Sequence, residues 1–170
     1  MSCRGVHFAI TQNEANQLLQ AAREGVAVSY VQEKLEACWD EEWLQETDKA
    51  WDAIHRCLTD GTLKCKGKTL LEKCILGGQQ LHKGNDYIIS FVQPDEVKSL
   101  IGAIAEIDRQ FFRQRYYALK KKFLGFDTSD YDGPINEEDF EYSWSNFDEL
   151  RTFLSKAAAV GRAMVFSVDQ

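Results

Sequence analysis

Apolar positions along the chain follow two rhythms, and their succession predicts strands separated by helices. Gly5 to Ile10 (GVHFAI) alternates and is rich in Val, Phe and Ile, which predicts a strand near the first residue. Thr11 and Glu14 form a T-x-x-E capping box, after which Ala15, Leu18, Leu19 and Ala22 keep helical spacing up to Gly25. Val28, Val31, Leu35, Cys38 and Trp39 continue that spacing and predict a second helix within Val26 to Leu44. A third helix runs from Thr47 or Asp48 to Thr59, with Asp60-Gly61 as its stop. Lys64 to Lys68 reads as a basic loop, followed by a helix through Leu70, Leu71, Cys74 and Ile75 that stops at Gly77-Gly78.

Tyr87 to Val92 (YIISFV), bounded by Asn85-Asp86 and Gln93-Pro94, reads as a buried strand. Pro94 opens the next helix, which continues through Val97, Leu100, Ile101, Ile104 and Ile107. Asp108 caps a further one closed by Gly125. Asp127 to Glu149 reads as a long surface excursion, and a last helix from about Phe147 to Val160 leads into a closing strand, Ala163 to Val168. The expected fold is a single α/β domain over residues 1–170: a mixed sheet with helices packed on it, its first and last strands coming from the two ends of the chain as neighbours.

A chain of 170 residues with 44% hydrophobic content is long enough for one full core. The net charge of −7 argues against nucleic acid and anionic membranes as partners, and no apolar run approaches the roughly 20 residues that a membrane span needs. The N-terminal MSCRGVHFAI does not look like a secretory signal, so a cytoplasmic location is expected. Five cysteines without a C-x-x-C pair read as free thiols rather than a disulfide framework or zinc site. No metal or other cofactor is implied.

Candidate chemistry centres on DKAWDAIHRCLTDG. On a helical wheel Trp51 falls in the apolar sector, His55 at its rim, and Asp48 and Asp52 beside it; Asp52 and Arg56 stand i,i+4 for an exposed ion pair. Burial of Trp51 removes roughly 200 Å² from water, at most about 5 kcal/mol, against about 0.3 to 0.5 for such a pair, so packing sets this helix. His55 could act as general acid or base with its tautomer held by Asp52 or Asp48; the plainer reading is a rim histidine with one structural hydrogen bond. The loop from Gly77 and Gly78 through His82 and Asp86 to Tyr87 is a candidate pocket lining near Trp51. The basic, aromatic stretch from Arg109 to Lys122 reads as a solvated helix face. The nine carboxylates of Asp127 to Glu149 could be its intramolecular counterpart, or, with Tyr131, Tyr142 and Trp144, a surface for a basic protein partner.

The chain also resembles the YfbM-like family of small bacterial proteins. The likeness is carried by Asp48, Lys49, Trp51, His55, Leu58, Thr59 and Gly61, then by Leu76, Gly77 and Gly78, then by Phe147, Glu149 and Leu150, and it spans nearly the whole chain. It implies a single-domain α/β layered fold in a bacterial cytosolic protein and supplies no catalytic residue. Two function classes follow: a non-enzymatic binding or protein-interaction domain, and alternatively a small-molecule hydrolase or transferase using His55 with Asp52 or Asp48 beside the Gly77 to Asp86 loop. Oligomeric state is not specified by any of these features.

Overall fold

The computed structural model describes residues 3–65, 69–120 and 130–169. Strands β1 (Gly5–Ile10), β2 (Leu44–Asp48), β3 (Gln79–Gln80), β4 (Tyr87–Val92) and β5 (Ala163–Asp169) form one sheet in the order β2-β1-β5-β4-β3. The first and last strands are neighbours, with Phe8 opposite Val165. Every pairing is antiparallel rather than mixed. Alternation reports which faces of a strand are buried and carries no information about strand direction.

Both faces of the sheet are covered. Val6, Phe8, Ile10, Ile89 and Val165 point into one core with α1 (Gln12–Arg23) and α2 (Ala27–Tyr30). Ala9, Val92, Met164 and Phe166 point into a larger core with α3 (Ala50–Leu58), α4 (Pro94–Ala105), α5 (Arg109–Tyr117) and α6 (Glu137–Ala159). The expected Thr11 capping box is present, with Glu14 N–H donating to Thr11 Oγ1 at 3.3 Å.

Three expected helices change markedly. The helix expected across Val26 to Leu44 is α2 running into a π-helix, Val31–Glu36; the chain then turns, and Leu44–Asp48 is an edge strand. Its polar sequence, LQETD, hides it from a search for β-branched runs yet suits an edge, where one side meets water. The helix before Gly77 is one 3₁₀ turn, Leu71–Cys74. The last helix starts at Glu137, ten residues before Phe147, so most of the supposed excursion is α6. Gly125, residues 66–68 of the basic loop, and residues 127–129 of the acidic stretch lie outside the described residues.

Candidate functional site

Trp51 is anchored inward as expected. Its ring is 6% exposed, lies 5.9 Å from Phe166, and its indole N–H donates to the Cys3 carbonyl at 3.0 Å. Gly5 makes this possible, because a Cβ there would lie 2.8 Å from the indole. His55 is not at the rim: it is wholly buried, as is most of Arg56 at 2% exposure. The helix therefore buries its supposed polar edge as well as its apolar stripe.

Neither aspartate orients His55. Asp52 accepts from Arg56 Nε at 2.5 Å, and burial raises the Asp52 carboxyl despite that partner. Because Arg56 is buried, the pair is far from the exposed decoration expected of it. Asp48 accepts from the Tyr142 hydroxyl at 2.8 Å and lies 3.7 Å from Arg4 Nε. The imidazole of His55 faces Cys65 instead, with Nε2 3.8 Å from Sγ, and Nδ1 has no partner among the described residues. Burial and the adjacent Arg56 charge pull its pKa down to about 4, while desolvation and the Glu72 and Asp60 charges push the Cys65 thiol up to about 11. A neutral thiol beside a neutral ring is not an activated nucleophile. His55 lines none of five surface cavities, of about 60 to 620 Å³, among the described residues.

Gly77 and Gly78 serve close packing. A Cβ on Gly77 would lie 2.5 Å from the Glu72 backbone, and one on Gly78 2.5 Å from the Phe91 carbonyl oxygen. Gly78 N–H donates to Ser90 Oγ at 2.9 Å, which ties the loop to β4. His82 and Asp86 meet each other, Nε2 to Oδ1 at 3.0 Å, on the loop surface. Trp51 and this loop line no common cavity among those above, so the structure does not bring the proposed ligand-binding set together.

Tyr87 lines a different cavity, of about 280 Å³, where β1, β2, β4 and β5 meet the end of the π-helix. Its lining includes Arg4, Glu36, Trp39, Glu46 and Asp169. The Tyr87 hydroxyl donates to Glu36 Oε1, and the buried Ser167 Oγ donates to the same oxygen at 3.2 Å. The second carboxylate oxygen has no partner among the described residues. Burial and the Glu36 charge together raise the Tyr87 phenol, keeping it a donor. Trp39 is 38% exposed with φ at +47°, in the left-handed region that a bulky side chain enters at a cost of order 1–3 kcal/mol. Arg4 is occupied by Glu46 and Asp48, so Glu36 and Asp169 leave the cavity net negative.

Sequence reasoning missed Glu36 and Trp39 because helical spacing placed them in an ordinary helix. The available signal was the missing stop: nothing between Val26 and Leu44 resembles a C-cap glycine, as an irregular turn would allow.

The acidic stretch is largely committed to its own protein. Asn136 caps α6, accepting from Asp139 N–H at 2.9 Å. Glu137 pairs with Arg113, Glu141 pairs with Arg109, and both guanidinium groups lie over the Phe140 ring. Tyr131 is buried and donates to Asp139 at 2.7 Å, Trp144 is half-buried against Phe112 and Phe147, and Tyr142 is 37% exposed. The three aromatics thus do not form one free surface. Among the described residues no group of His, Cys, Asp and Glu is arranged to hold a metal ion, and no helix is long and apolar enough to cross a membrane.

Comparison with known proteins places this geometry in context. The family model described as a domain of unknown function, DUF1877, matches residues 1–167. Among solved structures, the crystal structure of YfbM from Escherichia coli, itself a protein of unknown function, is similar with a TM-score of 0.70 and 16% identity over 97% of this chain and 99% of that one. At such identity the likeness concerns the fold alone. No curated protein matches.

Proposed function

The chain belongs to the DUF1877 family of domains of unknown function, and from that premise we propose that it is a small non-enzymatic binding domain whose site is the cavity around Glu36, Trp39 and Tyr87. One observation carries this reading: the Glu36 carboxylate is held by Tyr87 and Ser167 through one oxygen, its other oxygen has no partner among the described residues, and an exposed indole, Trp39, lines the same cavity. A carboxylate next to aromatic rings suits a cationic group, through a charge-assisted hydrogen bond and a cation–π contact. The cavity volume of about 280 Å³ is at the small end for a ligand site, which favours a single Lys or Arg side chain of a partner, or a small amine. A basic group is thus expected at this cavity rather than at the acidic stretch.

A hydrolase or transferase would need His55 to reach its substrate, and the ring is sealed within the core. No specific observation favours that alternative.

The test is a nuclear magnetic resonance titration of the full chain with acetyl-arginine amide, acetyl-lysine amide and spermidine. The expected result is perturbation of the Trp39 indole and of amides near Glu36 and Tyr87, weakened about tenfold or more by Glu36→Gln at unchanged Tm, as loss of a half-buried charge partner implies. Perturbation elsewhere only, or equal binding by Glu36→Gln, would overturn it.

A further inference from the structure

A larger cavity, of about 620 Å³, lies on the same α1–α2 layer but beside β3, at the sheet edge opposite β2. Its size falls within the usual range for small-molecule sites. Arg23, His82 and Lys83 line it together with Leu19, Ala27 and Leu81, and no Asp or Glu is in the lining. Arg23 and Lys83 are exposed while Ala27 and Leu81 are buried, which places cations at the mouth and apolar carbon at the floor. In a chain of net charge −7, a cavity of this sign is a local reversal.

Among the described residues neither cation at the mouth is in an ion pair. Arg4, Arg56, Arg109, Arg113 and Arg151 are in ion pairs, and Arg115 and Arg162 donate to backbone carbonyls. Among the described residues Arg23 alone of the arginines has no such partner, and Lys83 has none either. His82 is the exception on this wall: its Nε2 meets Asp86, which lies outside the lining and steadies the ring. Gly84 crosses directly over that pair, where a Cβ would lie 2.3 Å from both His82 Nε2 and Asp86 Oδ1, so the loop carrying Lys83 is folded down on its own side chains. Gly25, with φ at +78°, turns the chain sharply after α1 and sets Arg23 and Ala27 on one wall.

We propose that this cavity binds an organic anion, its carboxylate or phosphate head held by Arg23 and Lys83 and its apolar body lying against Leu19, Ala27 and Leu81. Charge-assisted bonds from a guanidinium fork give the head orientation, and the floor supplies area that inorganic anions cannot use. The site shares no lining residue with the Glu36 cavity, so either can fail while the other stands.

Titration of the full chain with phenyl phosphate and with benzoate, followed by amide resonances, tests it. The expected perturbations fall on residues 23–27 and 79–84, with inorganic phosphate binding more weakly than phenyl phosphate and with 1-phenylethanol leaving both segments unchanged. Binding of either acid there supports the site, and the tighter of the two identifies the head group. The double variant Arg23→Gln, Lys83→Gln should lose affinity at least about tenfold at unchanged Tm. Undisturbed segments with both acids, equal affinity in the double variant, or equal binding of the uncharged alcohol would each overturn the proposal.

Discussion

His7 and His55 are both wholly buried, and burial lowers each ring to a pKa of about 4 from the ordinary 6.5. The Cys74 carbonyl lies 3.2 Å from His7 Nε2, which fixes that nitrogen as the donor. The linkage sign follows directly. Above about pH 6.5 both rings are neutral in the folded and unfolded chain alike, so their buried packing contributes fully. Below it the unfolded chain takes up protons that the folded one refuses until about pH 4. Stability should therefore fall as the pH drops from 6.5 to 4, by about 3 kcal/mol per histidine at most. Urea denaturation at half-unit pH steps checks this, and either His→Gln substitution should roughly halve the slope. A flat profile across that window would contradict the buried neutral rings.

At the scale of elements, α5 and α6 are clasped by arginines of one and carboxylates of the other, yet these exposed pairs contribute little beside the cap and the aromatic core. Asn136→Ala should lower stability by about 1 kcal/mol, independent of salt, because it strips the side-chain acceptor from the α6 N-terminus. Arg113→Ala should cost less, and that cost should shrink in high salt. Thermal denaturation with and without 1 M NaCl separates the two. Element type was legible wherever one face of an element meets a core: β1, α1, β4, α4 and β5 all stand where alternation or helical spacing put them. β2 and the π-helix escaped because a polar edge strand has no apolar period, and because a π-turn keeps nearly helical spacing while redirecting the chain. The candidate site was read less well for a related reason. A helical wheel assigns polar residues to water, whereas α3 is enclosed on nearly all sides and buries His55 and Arg56 with the rest. Tyr87 draws attention in the sequence because it opens a strand after a glycine-rich loop. Its hydrogen-bond partner Glu36 is 51 residues away in sequence, beyond any local pattern.

For the whole molecule, two helical layers of unequal size enclose a five-stranded sheet. The thinner layer, made by α1, α2 and the π-helix, leaves a net acidic cavity toward β2 and a basic one toward β3. Both proposed sites lie on that incompletely covered face. The order of the sheet also has a temporal side. β5, the last of the five strands in chain order, is the middle one, hydrogen-bonded to β1 and β4 on either hand. Until it emerges, two half-sheets made earlier have an open slot between them, each with an unpaired edge of the kind that invites wrong partners. Synthesis arrested before residue 163 should thus yield a nascent chain that proteases cut readily, and emergence of residues 163–169 should bring resistance in a single step.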